Sequence, residues 1–191
     1  METGAAQVDA PGRDAGEDEA VRQIDVTDAR AIASAVARHF EQKRLCAVSC
    51  EFGLANNQRL DVIGVNYWGE ILGAEVKVTR QDWRGDQKWY GYTQYCDWLW
   101  FAFPAGLVTP AEFRATAAAK HAGMIEVNER AGISVVVNAK RNRLHFPRRF
   151  DVMYRLAMRA GDSGFCPNCG WRPTRLSVAD MTEEQIREAE A

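Results

Sequence analysis

The chain has 191 residues, 47% of them hydrophobic and 26% charged, which suits one globular domain with an appendage and excludes a fibrous or wholly disordered class. No apolar run approaches the roughly 18 residues of a membrane span, and the polar, acidic start from Met1 to Glu19 is unlike a signal peptide, so a cytoplasmic protein without a membrane partner is expected. The net charge of −2 hides a split, with −5 on residues 1–20, −4 on residues 177–191 and +7 on the body between them, which fits either a solvated surface with disordered tails or a body that meets a polyanion.

Residues 1–24 are rich in Ala, Gly and Asp and lack periodicity, which predicts a disordered acidic tail. Thr27 and Asp28 offer an N-cap, and Ile32, Ala35, Val36, His39 and Phe40 recur at helical spacing, so a helix is predicted over 27–43. Strands are predicted over 45–54, 59–67 and 70–79. The turns Ala55-Asn56-Asn57-Gln58 and Trp68-Gly69 join them into an antiparallel meander. A helix follows over 80–95 despite Gly85 and Gly91, then a very apolar strand over 98–103 that Pro104 ends. Thr109-Pro110 caps a short helix over 111–121. Two more strands are predicted over 123–128 and 133–139, and a basic helix over 148–159. The division is a main domain over 25–160, a cysteine knuckle over 161–175 and an acidic helical tail over 176–191. The order of elements describes an α/β sandwich around a mixed sheet.

The chemistry concentrates in the meander. Glu75 and Lys77 lie two apart on the third strand and so point the same way. Asp61, on the adjacent strand, can face the same side. Two carboxylates and an amine converging on one patch is the set that phosphodiester hydrolysis needs. The acids hold a hard cation such as Mg²⁺ or Mn²⁺, with the Val76 carbonyl as a further ligand. The lysine orients or deprotonates water and offsets developing charge. The plainer reading of the same residues is a cross-strand ion pair on a solvated face.

The following helix adds to this. Asp82, Asp86, Trp89 and Thr93 share one face, and Lys88 and Tyr92 share a neighbouring stripe. Its first turns leave the strand that bears Glu75 and Lys77. Lys88 is expected to contact a phosphate, and Tyr92 to hydrogen-bond to one or stack on a base. The alternative is that Asp82 caps the helix and the aromatic rings pack in the core.

The run from Cys50 to Pro104 resembles the MmcB-like DNA-repair endonucleases, a family of the PD-(D/E)XK nuclease superfamily. The resemblance rests on Glu51, Arg59-Leu60-Asp61-Val62, Glu75-Val76-Lys77, Asp82, Asp86-Gln87-Lys88-Trp89 with Tyr92, Cys96-Asp97 and Phe101-Ala102-Phe103-Pro104. It covers roughly residues 30–130. It implies a restriction-endonuclease-like αβββαβ core with a mixed central sheet flanked by helices. It implies that Asp61 and Glu75 bind metal, that Lys77 is the catalytic lysine, and that Glu51 completes the metal shell. Leu60 stands where the superfamily name has proline, a position often replaced.

Of the five cysteines, Cys46, Cys50 and Cys96 lie in apolar surroundings and are expected in the core. Cys166-Pro-Asn-Cys169 looks like half of a Zn²⁺ knuckle. A metal-free or redox-active turn is equally open. Trp68 and Trp171 are the tryptophans most open to base stacking or protein contact. Arg141 and Arg143, in the basic run from Lys140, are candidates for a phosphate-binding edge or a solvated loop. The leading expectation is a Mg²⁺- or Mn²⁺-dependent endodeoxyribonuclease of bacterial or phage type. Its partners would be DNA, with a second copy or a repair protein also open. The alternatives are a catalytically silent DNA-binding or adaptor module of the same fold and a zinc-linked structural dimer.

Overall fold

A computed structural model of the chain describes residues 23–44 and 46–163. The first 22 residues of the acidic tail, the knuckle with Cys166 and Cys169, and the helical tail expected over 176–191 lie outside the described residues.

Six strands form one mixed sheet in sequence order: β1 (Ala47–Gly53), β2 (Arg59–Val65), β3 (Ile71–Val76), β4 (Trp98–Pro104), β5 (Ala122–Val127) and β6 (Ile133–Val137). The β1–β2, β2–β3 and β5–β6 pairs are antiparallel. The pairs β3–β4 and β4–β5 are parallel, so each needs a crossover, and helices supply them. The meander and the α/β sandwich expected from the sequence are therefore present, with strand ends shifted by a few residues.

Each sheet face is covered. On one side lies α1 (Ala29–Arg44), whose Ile32, Val36 and Phe40 are buried against Val62, Ala74, Trp100 and Ile125. Phe40 meets the Trp100 ring at 5.7 Å. The other face is covered by α2 (Arg80–Gly85), α3 (Trp89–Thr93), α4 (Pro110–Arg114) and α5 (Phe146–Ser163). Here Trp83 stacks on Phe113 at 5.5 Å and meets Phe101 edge-on at 4.7 Å. Cys46, Cys50 and Cys96 are buried, as expected. Among the described residues no helix is long and apolar enough to cross a membrane.

Two predicted helices are broken. The helix expected over 80–95 stops at Gly85, and Asp86 is extended at φ −75°, ψ 102° before α3 begins. Glycine lowers helical stability there, and the Asp86 carboxylate takes the Lys88 N–H at 2.7 Å, a local bond that competes with the helix. The helix expected over 111–121 ends at Arg114 and resumes as a 3-10 turn, Ala118–Lys120.

β3 is held tightly at its start. Asp97, 1% exposed, accepts the Ile71 N–H at 2.8 Å and both Nη groups of Arg149 at 2.7 Å. This bidentate pair fastens α5 to the beginning of β3 and β4. Gly73, in mid-strand, lies so close to its neighbours that a Cβ would sit 2.4 Å from Cys96 Sγ. Arg149→Met should destabilise the protein by about 3 kcal/mol, because it strands a buried carboxylate. Gly73→Ala should cost about 2 kcal/mol through overpacking. Urea denaturation with unchanged slope checks both, and a loss below half a kcal/mol for Arg149→Met would mean that Asp97 is satisfied without it.

Candidate active site

The residues singled out in the meander come together at the far end of β3. Ladder pairing between β2 and β3 runs from Val65↔Ile71 to Val62↔Ala74 and stops there. Beyond that point the strands part, and the Val76 N–H is accepted by the Asp61 side chain, Oδ2, at 2.7 Å. This bond draws the Asp61 carboxylate to the last residues of β3. Strand alternation sends Val76 into the α1 core and Glu75 to the opposite face. Lys77, one residue past the strand, extends the ladder through its N–H to the Ala102 carbonyl at 2.9 Å. It therefore shares the side of Glu75.

Asp61 is half-buried, and the other two groups are shielded from water. Glu75 and Lys77 are each 7% exposed. Lys77 Nζ lies 3.2 Å from Glu75 Oε1, 3.0 Å from Asp86 Oδ2 and 3.6 Å from Asp82 Oδ1. The first turn of the helix after β3 thus reaches the site, as its spacing predicted. Asp86 reaches it because the helix breaks. Its Oδ1 closes the local turn onto Lys88, which leaves Oδ2 for Lys77. Thr79 caps α2 by accepting the Asp82 N–H at 3.1 Å. Arg80 bridges α2 to Glu112 of α4 at 2.6 Å.

Glu75 has two unlike oxygens. Oε1 faces the Lys77 ammonium and accepts from the Tyr92 hydroxyl at 3.3 Å. Oε2 is buried with no hydrogen-bond partner among the described residues. Burial pushes the Glu75 carboxyl up to about 8, with the Asp61 charge adding to the rise and Lys77 opposing it. Asp61 is raised chiefly by burial too, while its bond from Val76 acts the other way. Burial works against the Lys77 ammonium, but the three carboxylates outweigh it and hold Lys77 above its ordinary value. Lys77 is therefore a cation at neutral pH. Tyr92 is shifted upward by burial and by the acids around it.

Glu51 stands next to this cluster in an unusual conformation. Its φ is +52°, in the left-handed region, in the middle of β1. Cys50 enters the α1 core while Phe52, two residues on, enters the opposite one. Plain alternation would put both on one side. The left-handed residue reverses the face of the strand at the level of Asp61. The Glu51 charge, which raises Asp61, is paired with Arg59 at 2.6 Å, and its carbonyl accepts from Arg159 at 2.9 Å.

The four residues expected to meet DNA separate. Lys88 is exposed beside the site, at the start of α3. Tyr92 is 4% exposed, so its ring has no free face for a base, and its hydroxyl is engaged by Glu75. Arg141 pairs with Glu70 at 2.9 Å, at the other end of β3 from Glu75, roughly 16 Å away at strand rise. Arg143 is exposed in the same segment. The Asp97–Arg149 anchor was not foreseen, although an acid inside the apolar run 95–103 was a visible signal for it.

The profile of a family described as DNA repair protein MmcB-like matches residues 17–163. A solved structure described as the SPO1766 protein of unknown function from Silicibacter pomeroyi is 30% identical. The match covers 68% of this chain and 84% of that one, with a TM-score of 0.58. No curated protein matches.

The buried acids make stability depend on pH in a defined direction. The unfolded Glu75 ionises near its ordinary 4.5, whereas the folded carboxyl keeps its proton until about 8. In that window the unfolded state binds fewer protons, so stability falls as pH rises. In EDTA, urea midpoints should decline from pH 5 to pH 8, and Glu75→Gln should flatten the decline. An unchanged slope in that variant would show that Glu75 is ionised throughout.

Proposed function

The chain belongs to the MmcB-like DNA repair protein family, and we propose that it is a metal-dependent endonuclease of the PD-(D/E)XK type, with Asp61, Glu75 and Lys77 as its catalytic centre. The observation that carries this reading is Glu75 Oε2, a buried carboxylate oxygen without a partner among the described residues, beside a second carboxylate that Val76 holds in place. Two acids forced together out of water repel, and each is held above its ordinary pKa. A divalent cation relieves both costs at once, so the donor set fits one. Among the described residues no three His, Cys, Asp or Glu side chains form a ready cage. Asp61, Glu75 and the Val76 carbonyl would hold the ion with water in the remaining positions, as suits Mg²⁺ or Mn²⁺. Glu51 would join them only by leaving Arg59. When bound, the ion supplies polarisation of the phosphoryl group and an acidified water.

The chain's own residues do the rest. The Lys77 ammonium, fixed by Asp82 and Asp86, is a donor and a positive charge rather than a base, and it offsets charge that grows on the phosphoryl oxygens. Tyr92 orients Glu75 through its hydroxyl. Water oxygen bonds to phosphorus as the ester P–O bond breaks, one water proton passes to solvent, and the leaving oxygen takes a proton. Lys88, exposed at the start of α3, would meet a neighbouring phosphate.

Supercoiled, branched and single-stranded DNA should be cut in Mg²⁺ or Mn²⁺ and left intact in EDTA. Asp61→Asn, Glu75→Gln and Lys77→Met should each lower the rate at least about a hundredfold. A chain that binds DNA but leaves it uncut in every metal, with these variants binding equally, would instead be a silent DNA-binding module.

A further inference from the structure

Helix α5 buries one face and offers the other to solvent. Val152 is fully buried against the sheet. On the outer side Phe146, Phe150 and Tyr154 recur every four residues and are 74%, 62% and 56% exposed. Soluble chains rarely leave a contiguous apolar row open without a use for it. The Phe150 and Tyr154 rings are stacked nearly parallel, at 16° with centroids 6.3 Å apart, and both remain exposed. The β2–β3 turn lies near the start of the helix, and its Tyr67 and Trp68 are 63% and 40% exposed. Arg149 joins the two by donating to the Gly69 carbonyl.

The surroundings say what kind of partner fits. Residues 138–159 carry seven Lys and Arg against a single acid, Asp151, with Arg141, Arg149 and Arg155 held in ion pairs by Glu70, Asp97 and Asp151. Arg148 is hydrogen-bonded to the neutral amide of Gln94 and lies 5.1 Å over the Tyr95 ring, so its charge is not cancelled there. Open aromatic faces among arginines suit a strand whose bases stack and whose phosphates are neutralised. A purely apolar protein surface would gain nothing from this charge. A duplex keeps its base faces covered by neighbouring pairs, so an unpaired strand is the form these rings can use. The direction also fits. The start of α5 is fastened to Asp97, and its far end reaches the Glu51 carbonyl through Arg159, beside Asp61.

We propose that the outer face of α5, continued by the Tyr67–Trp68 turn, is a platform for an unpaired DNA strand, which it leads toward Asp61 and Glu75. The delivery of that strand to a cutting site rests on the endonuclease reading, whereas the platform itself does not.

The test is anisotropy of a fluorescein-labelled oligothymidylate and of a labelled duplex with the full chain in EDTA. Phe150→Ala and Tyr154→Ala should each weaken oligothymidylate binding about tenfold and leave duplex binding unchanged. Phe150→Tyr should restore it. Phe150→Leu, which keeps apolar area but loses the ring face, should not. These side chains are exposed, so thermal unfolding should match the natural chain. Binding that survives Phe150→Leu, or a natural-chain dimer that Phe150→Ala dissolves in sedimentation, would overturn the platform. So would normal single-strand cutting by the Phe150→Ala, Tyr154→Ala double variant, which leaves the endonuclease reading standing. Ring-dependent binding without any cutting would support the platform and remove the endonuclease alone.

Discussion

Both ends of β3 are held by carboxylates as well as by neighbouring strands. Asp97 accepts the N–H of Ile71, its first residue, and Asp61 accepts the N–H of Val76, its last. These two bonds set where the strand begins, where β2 leaves it, and which side chains are carried to its far end. The environments of the two acids are opposite. Asp97 has a bidentate arginine to itself, so its charge is neutralised and its role is mechanical. Asp61 has a second acid, Glu75, beside it, and burial raises both. The same device therefore makes a rivet at one end and a reactive pair at the other.

That pair is costly to fold. Two carboxyls raised by burial and a lysine ringed by three acids would be replaced by apolar residues if stability alone were at stake. Asp82 and Asp86 make the arrangement tolerable by holding Lys77 as a cation from the side away from β3. Only one oxygen of Glu75 is answered within the cluster. The other is where the proposed cation would enter. Local imbalance kept within a well-packed sheet is a common mark of a working site.

Period-two patterning made β2, β3 and β4 legible, and with them the convergence of Asp61, Glu75 and Lys77. Alternation alone fails at Glu51, where a left-handed residue turns Phe52 to the other core, because nothing in a Cys-Glu-Phe run announces a positive φ. The break at Asp86 was half visible in Gly85. The missing information was tertiary: Asp86 is drawn out of the helix toward Lys77, which lies nine residues earlier. Tyr92 was read as a nucleic-acid contact because its spacing matches Lys88. Spacing gives a stripe but not its direction, and the stripe twists inward onto Glu75 once α3 restarts. Arg141 and Arg143 were read from charge alone, and charge does not report which end of the sheet a loop returns to.

The separation of Arg141 from Glu75 changes how the basic body has to be understood. Positive charge at the Glu70 end of β3 cannot act on a phosphate held near Glu75, yet α5 spans the distance between the two ends. Its inner face carries the anchoring arginines and its outer face the rings. A polyanion drawn by the +7 body would thus first meet the Arg141–Arg149 end and then have a continuous path to the carboxylates. The Asp97 rivet would then serve binding as well as folding, because it fixes where that path starts.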